Sequence, residues 1–289
     1  MSKLFDETQK TQQSLITMSG PRPLNIGSLV DSFKQNGVVV TVDLLETGLP
    51  ARRNIDVGKA TTCLPTGLKS DDLSAAPAIE AYRSLRTRLM KLLASHTIHS
   101  ITITSSIPGE GKTVTALNLA ISCAQLHDMR ILLVDGDLRS RGLTRLLKIP
   151  EGTGLSDILS GKCAVDGAVL ATERKNLFLV GAGSLSSQPA ELYAGARWAE
   201  FIDWANKSFN IILIDAPPIF SVADAELISA CCDGTLMVVK PFATPREIAA
   251  QCARRLPKRK FLGAIFNGVP DRPDGRYSYY EGPNGNQKG

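Results

Sequence analysis

The stretch Ser105-Ser106-Ile107-Pro108-Gly109-Glu110-Gly111-Lys112-Thr113 decides how this chain is read. A bound phosphate needs successive backbone N–H groups aimed at oxygen, a cation to balance its charge and a hydroxyl beside the accompanying Mg²⁺. Gly109 and Gly111 free the backbone to make such a cradle, Lys112 brings the ammonium and Thr113 the hydroxyl. The run follows GxxxxGK[ST] except at its first position, where Ser106 replaces glycine. An ordinary strand-to-helix turn needs a glycine or two but has no use for Gly-Lys-Thr. Ser106, Pro108, Gly109, Glu110, Gly111, Lys112, Thr113 and Val114 are therefore the candidate nucleotide-binding residues, with the N–H groups of 109–114 on phosphate oxygens and Lys112 on the β/γ-phosphates.

Working outward, an apolar strand at Ser100–Thr104 feeds this loop and a helix at Lys112–His127 leaves it. Further strands are expected at Arg130–Val134, Leu177–Val180, Asn210–Ile214, Thr235–Val239 and Phe261–Phe266, with helical segments between them. Tyr82, Leu85, Leu89, Leu92 and Leu93 recur at helical spacing and predict a helix over residues 78–94; a second helix holds Trp198, Phe201 and Trp204. Near-continuous apolar strands alternating with amphipathic helices predict an α/β fold, a P-loop NTPase whose mainly parallel sheet is flanked by helices on both faces. Right-handed crossovers place all strand-end loops on one edge. Asp135 and Asp215 end two of these strands and Asp137 follows one residue after Gly136, so all three carboxylates are expected beside the phosphate loop. There they suit Mg²⁺ or its waters together with Thr113, and one of them suits a hydroxyl proton.

Composition excludes several other classes. The 289 residues are 43% apolar with a net charge of +5, those of a globular protein with a small basic excess. No run approaches the roughly twenty apolar residues of a membrane helix, and the start, MSKLFDETQK, lacks the apolar core of a secretory signal. Six cysteines without CxxC spacing read as buried thiols, and three scattered histidines form no metal constellation. A cytoplasmic protein is expected. The basic run Arg254, Arg255, Lys258, Arg259 and Lys260 reads as a solvated helix end, and nucleic acid is not expected as a partner. Three parts follow: residues 1–75 as an irregular arm with a possible docking element (a helix at Ile26–Gln35, a strand at Val38–Leu45), 76–270 as the nucleotide-binding domain, and 271–289 as a flexible tail. That tail holds three of the five tyrosines, Tyr277, Tyr279 and Tyr280, among prolines and glycines.

The set SxxxxGK[ST], hhhDxDxR (Ile131 to Arg139) and hhhhDxxP (Ile211 to Pro218) resembles the bacterial tyrosine kinases, which are unrelated to eukaryotic protein kinases. Glu80-x-x-Arg83-x-x-Arg86, Asn118-Leu-Ala, Gln188-Pro-Ala-Glu191-Leu192, Asp224-Ala225 and Phe266-Asn267-Gly268 extend the resemblance over residues 76–282. It implies an ATP- and Mg²⁺-dependent autokinase that phosphorylates its own tail tyrosines and regulates capsule or exopolysaccharide polymerisation and export. It further implies a cytoplasmic chain recruited to the inner face of the membrane by a separate transmembrane chain-length activator. By the same resemblance Lys112, Asp135 and Asp137 are catalytic, with Asp135 as base or metal-organising carboxylate, and Thr113, Asp135, Asp137 and Asp215 form the metal environment. Asn267 is implied at adenine. Glu80, Arg83 and Arg86 are implied at the interface of a homo-oligomeric ring that presents each tail to a neighbouring site, where tyrosines of other proteins are further candidate substrates. The resemblance stops short of the family after Arg139, where Ser140-Arg141-Gly142 stands in place of Arg-Pro. Two rival readings are a partition- or septum-type ATPase switch and a catalytically weak ATP-binding scaffold of the export machinery. The first carries an extra lysine early in its phosphate loop, where this chain has Ile107, and lacks tail tyrosines; against the second, Lys112, Thr113 and all three aspartates are in place.

Overall fold

In a computed structural model, the described residues are 63–64, 76–95, 97–126, 128–149, 152–172 and 174–268. The expected helix at Ile26–Gln35, the strand at Val38–Leu45 and the tail tyrosines Tyr277, Tyr279 and Tyr280 lie outside them. The elements run β1 (Cys63–Leu64), α1 (Ala76–Ser95), β2 (Ser100–Ser105), α2 (Lys112–Cys123), β3 (Ile131–Asp135), α3 (Gly142–Leu146), α4 (Leu155–Leu159), β4 (Val169–Thr172), β5 (Leu177–Val180), α5 (Pro189–Ala194), α6 (Ala196–Ser208), β6 (Ile211–Asp215), α7 (Asp224–Cys231), β7 (Gly234–Val239), α8 (Arg246–Arg255) and β8 (Phe261–Phe266).

The strands form one sheet in the order β1-β4-β5-β3-β6-β2-β7-β8. β2, β3, β5, β6, β7 and β8 are mutually parallel, while β4 pairs antiparallel with β5 and β1 follows β4. Strands β2, β3, β6 and β7 are buried at every residue, as a sheet covered on both faces requires. Side-chain alternation sorts them between two layers. Leu132, Val134, Ile212 and Ile214 point into a cluster with Trp198, Phe201 and Ile202 of α6 and Ile228 of α7. Ile131, Leu133, Ile211 and Leu213 point the other way, against Leu89 of α1 and Ala116, Leu119 and Ala120 of α2. Leu89 is the fully buried member of the face expected on α1, with Leu85 and Leu93 packed at its margin.

Register fixes the site. Asp135 pairs with Asp215 across β3 and β6, and Ile103 of β2 pairs with the same Asp215. The phosphate loop and both strand-end aspartates therefore share one edge, as the parallel topology predicts.

Two elements differ from the sequence reading. α2 stops at Cys123 instead of continuing to His127, because the Asn176 side-chain amide donates to the carbonyls of Ala124, Leu126 and Met129 and closes the chain into a turn. The edge pair β1 and β4 was not read from the sequence. β1 has two residues, too short for either periodicity to register, and β4 (Val-Leu-Ala-Thr), half-buried at its middle, shows neither an alternation nor a fully apolar run.

Candidate active site

β2 delivers the chain to the phosphate loop, which wraps from Ser106 into α2. Gly109 and Gly111 have φ of 84° and 90°, the left-handed region that suits glycine, and a Cβ on Gly111 would run into the Asn267 side chain. Pro108 and Gly109 are exposed at the loop tip and Val114 faces outward from the first turn of α2, while Ser106 is buried with its hydroxyl toward Met237. Asn267, at the end of β8, donates from Nδ2 to the Glu110 carbonyl at 2.9 Å. It braces the loop from the side.

Glu110 does something the sequence did not disclose. Its side chain turns inward: Oε2 accepts from Ile107 N (2.8 Å), and Oε1 accepts from Lys240 N (3.1 Å) and the Thr244 hydroxyl. Burial holds its pKa above the ordinary value and these donors offset part of the rise; the bonds tie the loop to the segment after β7. Glu110→Ala would strip an acceptor from three donors, and a loss of about 2–4 kcal/mol is expected from orphaned buried groups. Urea unfolding measures it, and an unchanged midpoint would remove this bracing role.

The charged centre lies beside the loop. Lys112 Nζ is 2.9 Å from Asp137 Oδ2, 3.4 Å from Asp215 Oδ1 and 3.4 Å from Thr113 Oγ1. Burial alone would lower the lysine pKa, but Asp215 and then Asp137 outweigh it and hold the pKa above its ordinary value. Asp137 is drawn below the usual carboxylate range: burial opposes this, and Lys112 with Ser140 overcomes it. Asp215 is wholly buried and pushed up to about 7, mainly by burial, with Lys112 pulling down and Asp135 pushing up. Its Oδ2 has no hydrogen-bond partner among the described residues. Asp135 stands behind the other two: Oδ2 accepts from both the N–H (2.7 Å) and the hydroxyl (2.6 Å) of Thr144, and Oδ1 accepts from Asp137 N at 3.3 Å. Burial raises its pKa and the Thr144 bonds offset part of that rise.

Residues 98–244 match a family model described as an AAA domain. The tyrosine-protein kinase YwqD of Bacillus subtilis is 34% identical over 203 residues, covering 70% of this chain and 85% of that protein. The chain belongs to the bacterial tyrosine kinases. The kinase domain of Escherichia coli tyrosine kinase ETK superposes with a TM-score of 0.69 at 26% identity, covering 86% of this chain and 98% of the other. The tyrosine-protein kinase wzc of Salmonella typhimurium is 35% identical over 208 residues, 71% of this chain but 29% of that protein. The chain thus spans 85% of the length of the Bacillus relative and 29% of that of the Salmonella one. The partition-type reading gives way to a tyrosine kinase with a nucleotide-binding P-loop domain.

In this kinase the fold brings together residues 106–114, Asp135, Asp137, Asp215 and Asn267. It sets the α1 motif elsewhere. Arg86 is half-buried and donates from one nitrogen to Ser122 O (2.7 Å) and Gln125 Oε1 (2.8 Å), capping the far end of α2 from within the same chain. Arg83 is exposed, and Glu80 lies on the first turns of α1. Sequence reasoning missed Thr144, which grips Asp135, and the use made of two quoted motif fragments. Arg139 and Asp224 meet as a fork, Nε to Oδ2 at 2.8 Å and one terminal nitrogen to Oδ1 at 3.2 Å, with the carboxylate buried at 2% exposure. Their separate presence in the resemblance was the available signal. Among the described residues no helix is long and apolar enough to cross a membrane.

Proposed function

We propose that this kinase transfers the γ-phosphoryl group of ATP, with Mg²⁺, to Tyr277, Tyr279 or Tyr280 of a neighbouring copy. The observation that carries the reading is the charge balance beside the phosphate loop: Asp137 and Asp215 contact the single ammonium of Lys112, and Asp135 adds a third carboxylate behind them. That excess of negative charge, with Asp215 Oδ2 unpartnered, suits a divalent cation. No group of three or more acidic, histidine or cysteine side chains among the described residues is placed to hold a metal ion by itself. Mg²⁺ is commonly held by one or two carboxylates together with substrate phosphates and water, so the site fits it. Thr113, Asp137 and Asp215 would hold the ion, with Asp135 organising them; bound there, it neutralises charge on the transferring phosphoryl group.

The chain's own residues supply the rest. The N–H groups of 109–114 orient the phosphates, and Lys112, shared between carboxylates and phosphate, follows the charge as it moves toward the leaving group. The tyrosine oxygen bonds to the γ-phosphorus, the bond to the β-phosphate oxygen breaks, and the phenolic proton passes to a carboxylate. Asp135 takes that role through Oδ1, whose one bond, from Asp137 N at 3.3 Å, is long, whereas Oδ2 is held by two short bonds from Thr144. Asn267 stands at the adenine side of the loop.

In this reading the subunits form a ring through Glu80, Arg83 and Arg86, a transmembrane chain-length activator recruits the kinase to the membrane, and the output is control of capsule or exopolysaccharide polymerisation. Residues 1–75 serve as the arm and 271–289 as the substrate tail. Phosphorylation adds about −1.5 to −2 charges per tyrosine to a tail beside acidic groups, which loosens the ring. The test is incubation of the purified chain with Mg·ATP, with and without an activator's cytoplasmic segment, followed by phosphosite mapping and light scattering. Tail phosphotyrosine and a fall in mass are expected; ATP hydrolysis with unmodified tyrosines would reject the reading. The interface variant to use is Arg83→Ala, expected to lower the mass before any phosphorylation, because Arg86→Ala also removes the α1–α2 tie.

A further inference from the structure

Gly136 lies between Asp135 and Asp137, and its peptide groups are held on both sides. Its N–H donates to Asp215 O at 2.9 Å, and its carbonyl accepts from the Tyr193 hydroxyl at 2.7 Å. A side chain has no room there: a Cβ would lie 2.7 Å from Ile214 Cγ2 and 3.1 Å from Asp215 O. Tyr193 comes from α5, an element that contributes neither a carboxylate to the centre nor a residue to the phosphate loop. It is 3% exposed, and its ring meets Trp198 edge-on with centroids 5.2 Å apart. Burial, then the charges of Asp135, Asp224 and Asp137, hold its phenol protonated far above the ordinary range, so at neutral pH the hydroxyl is a donor.

We infer that Tyr193 is a positioning residue whose hydroxyl sets the peptide plane after Gly136 and thereby the direction in which Asp137 faces Lys112. The inference rests on the kinase reading above and deepens it. The peptide that carries this carbonyl continues directly into Asp137 N, which donates to Asp135 Oδ1, so rotating it displaces Asp137 Oδ2 from its 2.9 Å contact with Lys112. Farther along the same turn, Arg139 is anchored on Asp224. The dicarboxylate turn is thus pinned by Asp215, Tyr193 and Asp224, and the Tyr193 bond is the one that removing a single atom breaks. The same geometry excludes Tyr193 as a phosphoacceptor, because its oxygen is enclosed and donates inward.

Tyr193→Phe in the full chain removes the hydroxyl and keeps the ring. Misplacing a catalytic carboxylate by a fraction of an ångström lowers kcat by about 10- to 100-fold, while KM for ATP stays within about twofold. A readout independent of turnover is the affinity for a fluorescent ADP analogue with and without Mg²⁺. The Mg²⁺-free affinity is expected unchanged and the gain on adding Mg²⁺ reduced by about fivefold or more, since Asp137 is one of the residues that would hold the ion and Tyr193 positions it from behind. Trp198→Phe is the comparison: it loosens the same aromatic cluster without touching Gly136, and is expected to lower Tm while sparing both kcat and the Mg²⁺ gain. Equal losses in the two variants, or no change in Tyr193→Phe, overturn the inference. A wild-type chain that modifies no tyrosine rejects the kinase reading alone, because the Mg²⁺ gain still decides the role of Tyr193. A wild-type affinity indifferent to Mg²⁺ overturns both.

Discussion

Lys112→Met is expected to lower tyrosine phosphorylation by about 10³-fold or more, the scale on which a cation at the transferring phosphoryl group acts. The Lys112 ammonium bonds both Asp137 and Asp215, so its loss leaves the two carboxylates facing each other without it. A second effect follows from the structure. With Lys112 in place the cluster carries at most two net negative charges; without it, three. Breaking a buried ion pair by removing one partner typically destabilises by about 3–5 kcal/mol. Part of that is relieved by proton uptake, since Asp215 already sits at about 7 while Lys112 pulls it down. The variant is therefore expected to melt below wild type at pH 8 and to recover most of the difference at pH 6. Phosphotyrosine blotting and thermal melts at the two pH values check both parts. Wild-type phosphotyrosine would reject the assignment of Lys112.

Much of this site was legible because its parts are local in sequence. The loop carries its own glycines, lysine and threonine, and Asp135 and Asp215 each end an apolar strand, so topology alone puts them on one edge. The parts that stayed hidden are the ones made by contacts across the chain. Glu110 looks like a loop residue offered to solvent or phosphate, and only the fold reveals Lys240 and Thr244 waiting for its carboxylate. Arg86 stands in a motif that the resemblance implies at an interface, and nothing in that motif predicts its bonds to Ser122 O on α2 and to Gln125 Oε1 just beyond it. Tyr193 follows the Gln188-Pro-Ala-Glu191-Leu192 run, yet nothing in that run predicts a bond to Gly136, 57 residues away. β4 was missed for a related reason: a four-residue reversed strand is specified by its pairing with β5 and not by its own pattern.

Asp215→Asn is expected to weaken the enzyme and strengthen the fold. On the chemical side, the substitution removes the carboxylate whose Oδ2 is unpartnered, and with it a charge worth several kcal/mol toward a divalent cation, so phosphoryl transfer falls by roughly 10²-fold or more. On the stability side, Asp215 has a folded pKa of about 7 against an ordinary value of 3.8, principally through burial. Between those values the folded chain binds a proton that the unfolded chain has released. Stability of the metal-free protein therefore falls as pH rises from about 4 to about 7, by an amount on the order of 4 kcal/mol once both states are ionised. Asp137 works in the opposite sense, but only below the ordinary carboxylate pKa, where stability is lost on further acidification toward its own depressed value. The wild type in EDTA should accordingly melt higher at pH 5.5 than at pH 7.5. In the Asp215→Asn variant that slope should flatten, and at pH 7.5 its Tm should exceed wild type by roughly 5–10 °C, as a few kcal/mol implies for a domain of this size. Lys112 keeps its 2.9 Å bond to Asp137 in this variant, so the ammonium is not orphaned. A lower Tm than wild type at pH 7.5, or a wild-type Tm independent of pH across this range, would show that the Asp215 carboxylate is already compensated and would remove the argument that excess negative charge here is held ready for Mg²⁺.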